Sequence, residues 1–225
     1  LSDQGNLITA LKTGFDYDFR DRLSEQRSFG FNTTGNRFRP VEQIFADENI
    51  GVDVSFTEFG GVANDYTSEI EILGGYAQLD LEMVQKFRLV AGLRLEDADY
   101  QVSTFESGGA SGATEVESGF KQQKALPSLV GSLFLSDNSQ LRAGLSRSLS
   151  YPATVEVANT NFVDAETDES FIANPALEPT VIDSADIRWE WYPSRSEALT
   201  LGAFYKDFAD PIERSFVPVA GGRRL

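Results

Sequence analysis

The chain has 225 residues, with 19 Lys and Arg against 35 Asp and Glu, no His and no Cys, for a formal charge of −16. Without imidazole or thiol it cannot supply a Ser-His-Asp triad, a thiolate nucleophile or a zinc site built on those ligands; with basic residues clustered only at Arg223-Arg224, a nucleic-acid partner is excluded. No apolar run approaches the ~18 residues of a membrane helix, which leaves a membrane β-barrel open because alternating strands average out in hydropathy.

The informative signal is period two. A first strand is predicted over Leu7 to Arg20, with Leu7, Leu11, Phe15, Tyr17 and Phe19 on one face and Lys12, Gly14, Asp16, Asp18 and Arg20 on the other. A long link follows, Asp21 to Thr67. Within it Pro40 precedes Val41, Ile44 and Phe45 at helical spacing, predicting a short helix behind an N1 proline. The next hairpin runs Leu73, Gly75, Ala77, Leu79, Leu81, Met83, then Phe87, Leu89, Ala91, Leu93, Leu95 at odd positions, with a tight turn at Val84-Gln85-Lys86. A second link spans Gln101 to Gly119 and is Gly/Ser/Ala-rich over Ser107 to Ala113.

Another hairpin places Leu129, Gly131, Leu133, Leu135 and then Leu141, Ala143, Leu145 on one face about a turn at Ser136 to Ser139. After a third link, Tyr151 to Thr180, the last hairpin carries Ala185, Ile187, Trp189, Trp191 and then Leu199, Leu201, Ala203, Tyr205 about a turn at Pro193-Ser194-Arg195. These are about seven strands, each near or above the ~9–11 residues that a tilted strand needs to cross a bilayer. Three tight turns on one side and three long links on the other are the asymmetry of an all-β, antiparallel, up-and-down transmembrane barrel with short periplasmic turns and long extracellular loops. Charges in mid-strand (Asp80, Arg88, Arg94, Arg142, Asp186, Arg188) suit a watered interior, and Phe87, Trp189, Trp191 and Tyr192 gather near strand ends as interface girdles do. Half-buried strands of a soluble β-sandwich, a lectin- or adhesin-like binding module, share the alternation. A small closed barrel would need an eighth strand over Ile212 to Val219, which Pro211 and Pro218 oppose.

Other patterns carry less. Asp16/Asp18, Asp80/Glu82 and Asp97/Asp99 have the composition of glycosidase couples, but a spacing of two restates which strand face is wet. Asp164, Glu166, Asp168 and Glu169 offer oxygen ligands without the glycine turn and terminal Glu of a calcium loop. Gly60-Gly61 and Gly74-Gly75 have no helix behind them to cradle phosphate, so they are expected to permit close backbone approach or a bulge.

Four segments also resemble a known family. Leu126 to Pro152 (LPSLVGSLFLSDNSQLRAGLSRSLSYP) is similar to a strand, turn and strand of the TonB-dependent outer-membrane receptors. Ala173 to Pro193 (ANPALEPTVIDSADIRWEWYP), Phe204 to Glu213 (FYKDFADPIE) and the upstream hairpin Tyr76 to Asp97 resemble segments of the same family in the same order, with Ala173, Tyr151 and Thr180 departing from its usual residues. The resemblance implies a 22-stranded barrel with a plugged lumen, of which residues 1–225 are expected to be one barrel segment, without the plug and the remaining strands. It implies import of a scarce nutrient (an iron-siderophore, cobalamin or a glycan) across the outer membrane of a Gram-negative bacterium. Energy would come from a TonB-type coupling protein acting through the plug, and outer-membrane lipid would surround the barrel. No catalytic residue, cofactor or resident metal is implied. Recognition in this family involves the long loops, where Arg37, Phe38, Arg39, Tyr66, Phe162 and Phe171 are the candidate ligand-binding residues and Tyr151 is a further loop aromatic. The plain alternative for each is a loop packing on itself.

Overall fold

Alternating strands can keep one apolar and one polar sheet face only if neighbours pair in a register that preserves parity, because a slip of one residue turns every side chain to the other face. The computed structural model describes residues 7–25, 27–35, 38–59, 65–83, 86–106, 114–159, 161–163, 170–215, 217–219 and 222–224. Its strands in chain order are β1 (Leu7–Ser24), β2 (Ser28–Thr33), β3 (Val54–Phe59), β4 (Tyr66–Met83), β5 (Phe87–Glu106), β6 (Thr114–Ser136), β7 (Ser139–Ser150), β8 (Asn161–Val163), β9 (Ser170–Ile172), β10 (Thr180–Ser194), β11 (Glu197–Ala209), β12 (Val217–Val219) and β13 (Gly222–Arg224). Two one-turn helices, α1 (Val41–Ile44) and α2 (Thr154–Val157), lie in the links.

Seven strands form one antiparallel sheet in the order β1-β4-β5-β6-β7-β10-β11, a partial barrel wall. Parity is kept at every interface, except in the last pair beside two of the turns (Ser136 with Ser139, Ser194 with Glu197): Leu11 pairs with Leu79, Leu79 with Ala91, Leu89 with Gly131, Leu133 with Leu141, Leu145 with Ala185, and Trp189 with Leu201. Odd-numbered residues therefore make one continuous face. Leu79, Leu133 and Leu201 on it are 38%, 48% and 69% exposed, so no second sheet seals them as a sandwich requires.

The strands are longer than the alternation suggested, and the reason is a swap of polarity between the faces. From Tyr66 to Ile72 the even residues Tyr66, Ser68, Ile70 and Ile72 are buried while Thr67, Glu69 and Glu71 are exposed. β5 does the same, burying Ala98, Tyr100, Val102 and Thr104. Period two continues into the expected link at 101–119 from both ends, but with faces exchanged, so β5 runs on to Glu106 and β6 begins at Thr114. The even side of this extension is where the core sits: Tyr66, Ile70, Ile72, Ala98, Tyr100 and Val102 pack with Val157 and Ala158 at the end of α2, and with Phe120, Tyr151 and Leu177. Each large side chain buried there contributes roughly 1.5–3 kcal/mol.

The turns and links follow local chemistry. Asp137-Asn138 makes the β6–β7 turn. The last turn lies at Arg195-Ser196 rather than at Pro193, because the register shifts between Trp191 and Ser194 and lets the proline, which lacks an N–H, remain within β10. In the first link β2 pairs with β3, and α1 follows Pro40, whose carbonyl accepts from the amides of Gln43 (2.9 Å) and Ile44 (3.1 Å). Pro40 thus caps the helix from just outside it. Phe45 meets Phe31 edge-on at 4.6 Å and Phe56 at 6.3 Å. β12 pairs with β13 alone, so Val217–Val219 adds no eighth strand to the sheet.

Gly119 sits in β6 at φ +130°, where an added Cβ would lie 1.9 Å from the Tyr100 carbonyl oxygen. Gly119→Ala is expected to cost at least roughly 1–3 kcal/mol of local stability. Hydrogen exchange of the full-length protein should then accelerate at Tyr100–Val102 and Ser118–Phe120; unchanged protection there would contradict the contact.

Candidate functional site

The even face below the core carries long charged side chains, and glycines on the same face make room for them. Gly14 is paired with Tyr76, and a Cβ on it would meet the tyrosine ring at 2.6 Å; at Gly74 it would meet the Arg94 guanidinium at 2.1 Å, and at Gly144 the Asp186 carboxylate at 2.6 Å. Close approach at Gly74 is thus by a side chain lying flat on the strand. The Gly60-Gly61 pair lies outside the described residues.

Because Gly74 is bare, Arg94 of β5 reaches across β4 and binds Asp16 of β1 with both arms, at 2.5 and 2.9 Å. Its Nε donates to Glu96 at 2.8 Å. The other Glu96 oxygen accepts from the hydroxyl of Tyr151, just past β7, at 2.5 Å. One chain of hydrogen bonds therefore joins β1, β5 and the β7–β10 link. Above it Tyr100, Phe120 and Tyr151 stack with centroid separations of 4.8, 6.1 and 6.3 Å and interplanar angles of 13°, 4° and 9°. The Tyr100 hydroxyl donates to the Pro152 carbonyl at 3.0 Å and Ser118 Oγ to that of Val157 at 3.0 Å, so residues 151–158 are fastened to the even face. Nearer the short turns Arg88 binds Asp80 bidentately at 3.0 and 2.7 Å, and Arg188 holds Glu190 at 2.7 Å.

Five of the six paired carboxylates, all but Glu82, are thereby engaged with cations or amides. Asp16 and Asp18 bind Arg94 and Arg20, Asp80 binds Arg88, Asp99 binds Lys121, and Asp97 accepts from Gln123. The acidic group Asp164 to Glu169 lies outside the described residues, among which no cluster of His, Cys, Asp and Glu has the arrangement of a metal site.

Of the six candidate ligand residues, Phe38, Arg39 and Tyr66 have described side chains. Arg37 lies outside the described residues. Phe38 is 98% exposed beside the exposed Arg39, just before α1. Tyr66 is not in a loop: it opens β4 and is 3% exposed within the core, because the polarity swap makes its even position an inward one. Phe162 and Phe171 are paired across the β8–β9 hairpin. Tyr151 likewise packs on the wall. The Asp16–Arg94–Glu96–Tyr151 chain was not foreseen, although glycines at even positions beside long side chains signalled such a crossing.

Burial, and then donation to Glu96, hold the Tyr151 hydroxyl well above the ordinary tyrosine range. In the first link the Arg27 guanidinium, at 2.7 and 2.8 Å, keeps Glu58 below the usual glutamate range. Since the raised Tyr151 value belongs to the folded state, its contribution to stability is full below about pH 10, where an unfolded tyrosine stays protonated, and is lost as pH rises through the folded value. Tyr151→Phe is therefore expected to lower thermal stability at pH 8 and to flatten its decline above pH 10, read by thermal scans of the full-length protein from pH 8 to 11.5. Parallel declines in the two proteins would contradict the assignment.

The sequence profile of the family described as TonB dependent receptor-like, beta-barrel, matches residues 2–224. Among solved structures, a double mutant of the Serratia marcescens hemophore receptor HasR, in complex with its hemophore HasA and heme, superposes with TM-score 0.52 at 14% identity, covering 97% of this chain and 36% of that one. The siderophore receptor PiuA from Acinetobacter baumannii gives TM-score 0.45 at 10% identity, covering 99% of this chain and 38% of that one. The chain thus spans little more than a third of the length of these receptors. No curated protein matches it.

Proposed function

The chain belongs to the TonB-dependent receptor family, as a length of its β-barrel, and from that premise we propose that it forms part of the wall of an outer-membrane importer in a Gram-negative bacterium. The observation that carries this reading is the continuous apolar band on the odd face, with no layer of the described residues upon it and an ion-paired face behind it. On this reading odd residues touch lipid from Leu73 to Met83, Phe87 to Leu95 and Ala125 to Leu135, and the face turns polar at Glu71, Asp97 and Gln123 where the strands leave the membrane. Trp189 and Trp191, stacked at 6.5 Å beside the short turns, then mark the periplasmic interface.

Topology supports a segment of a larger barrel. With seven strands, β1 and β11 run in the same direction and cannot pair antiparallel with each other. A closed antiparallel barrel containing this sheet needs an odd number of further strands. The finer parts of the proposal follow the family: a scarce nutrient, of the iron-siderophore, cobalamin or glycan class, is captured at the long loops and released inward when a TonB-type protein pulls on a plug. Arg37, Phe38 and Arg39 in the first link, and Phe162 and Phe171 in the third, are the proposed ligand contacts; Tyr66 serves the core instead.

With no native cysteine in this stretch, single substitutions test the two faces cleanly. In the full-length protein reconstituted into liposomes, Cys at Leu79, Leu133 and Leu201 should resist a water-soluble maleimide. Cys at Asp80, Ser132 and Thr200 should react at least tenfold faster. Equal labelling of both sets, or a full-length protein that stays monodisperse without detergent, would overturn the membrane reading.

A further inference from the structure

Asp16 on β1, Gly74 on β4 and Glu96 on β5 are registered in one row across the even face. The bare glycine leaves a notch between two carboxylates, and the Arg94 guanidinium fills it. Two acids thus share one cation. Asp16 takes both Nη atoms, at 2.5 and 2.9 Å, which turns the fork toward β1 and leaves Nε for Glu96, at 2.8 Å. The second Glu96 oxygen is thereby kept for the Tyr151 hydroxyl at the base of the third link.

Exposure falls along this chain, from 51% for the Asp16 side chain to 29% for Arg94 and 9% for Glu96. Its open end faces the even side and its closed end holds the link. Past Tyr151, Val157 and Ala158 are fully buried, and the Glu156 carbonyl accepts from the Asn174 amide at 2.8 Å, tying the two feet of the link together. We infer that Asp16, Arg94 and Glu96 are positioning residues for the third link, forming a relay with two settings that Asp16 selects. With Asp16 on Arg94, Glu96 is shared and Tyr151 is held. A guanidinium released from one carboxylate closes on another with two parallel bonds, so withdrawal of Asp16 turns the Arg94 fork onto Glu96 and displaces Tyr151. The link then relies on the Tyr100 and Ser118 bonds and its apolar contacts. An ammonium or guanidinium group on a solute at the even face withdraws Asp16 by pairing with its exposed carboxylate. Because the link carries Phe162 and Phe171, the relay makes the proposed ligand seat depend on a cation lower on the wall; this meaning rests on the import reading, whereas the relay itself does not.

Hydrogen exchange of the full-length receptor in detergent tests it at the amides of Ala158, bonded to the Thr154 carbonyl, and Asn174. In Gly74→Ala the new Cβ would lie 2.1 Å from the Arg94 guanidinium and push that flexible end from the notch without removing a charge. Gly74→Ala and Asp16→Asn should each speed exchange at both amides at least tenfold, and Asp16→Glu should restore most of the protection. Combined with Tyr151→Phe, Asp16→Asn should add nothing, as expected of residues acting in one chain. Paired amides of β4 and β5 should stay as protected as in the wild type. For the cation, Asp18→Cys, two residues along the same face of β1, is compared with an aminoethyl or a methyl group attached through a disulfide. The ammonium adduct should exchange severalfold faster at Ala158. Unchanged exchange in Asp16→Asn with the β4–β5 protection intact, additive losses in the double variant, or equal rates for the two adducts would overturn the relay while leaving the import reading standing. Solubility without detergent would overturn that reading and not the relay.

Discussion

Everything in this wall depends on register. Each of the six interfaces of the seven-stranded sheet pairs odd residues with odd, so seven separate alternations add up to two continuous surfaces of opposite character. A slip of one residue anywhere would set Asp80 or Arg88 beside Leu11 or Leu133 and break both surfaces at once. The short turns hold that register. At both the Asp137-Asn138 turn and the third turn a register shift occurs, but each is confined to the strand end, past Phe134 and past Trp191.

The same alternation sets the height of the wall by exchanging faces. Between Leu73 and Glu71 on β4, and between Leu95 and Asp97 on β5, the odd side passes from apolar to acidic while the even side gains Ile72, Ala98 and Tyr100. On the proposed reading, hydrocarbon lies on the odd side below that line and water above it. Above the line the chain covers the even side with its own residues 151–158. The sheet needs no break at the boundary, because a strand does not depend on which of its faces is apolar.

This exchange explains what was legible in the sequence. The strands below the line, their partners and their faces could be read from Leu73 to Tyr205, since tight turns and constant parity leave one arrangement. Strand ends above the line could not: a search for apolar odd residues stops at Leu95 although β5 runs to Glu106. Tyr66 was misplaced for the same reason, looking like a loop aromatic until its even position became an inward one. The helix behind Pro40 was visible because proline acts within a single turn. The chain from Asp16 through Arg94 to Tyr151 was hidden, as it joins residues far apart in sequence across a strand made passable by one glycine.

Register also sorts the charge. Across the seven strands the even positions hold nine cations (Lys12, Arg20, Arg22, Arg88, Arg94, Lys124, Arg142, Arg188, Lys206) and eight acids (Asp16, Asp18, Asp80, Glu82, Glu96, Glu106, Asp186, Glu190), which nearly cancel. The whole formal charge of −16 must then reside on the links, the turns and the odd rows. The even face is thus polar but close to neutral, with Arg20, Arg88, Arg94 and Arg188 bound by neighbouring carboxylates. The mouth is different. Its acidic surplus concentrates cations and repels anions over about a Debye length, ~8 Å at physiological salt. On the proposed import reading, discrimination by charge belongs to the links and passage to the even face, and the parity of the strands divides the two tasks.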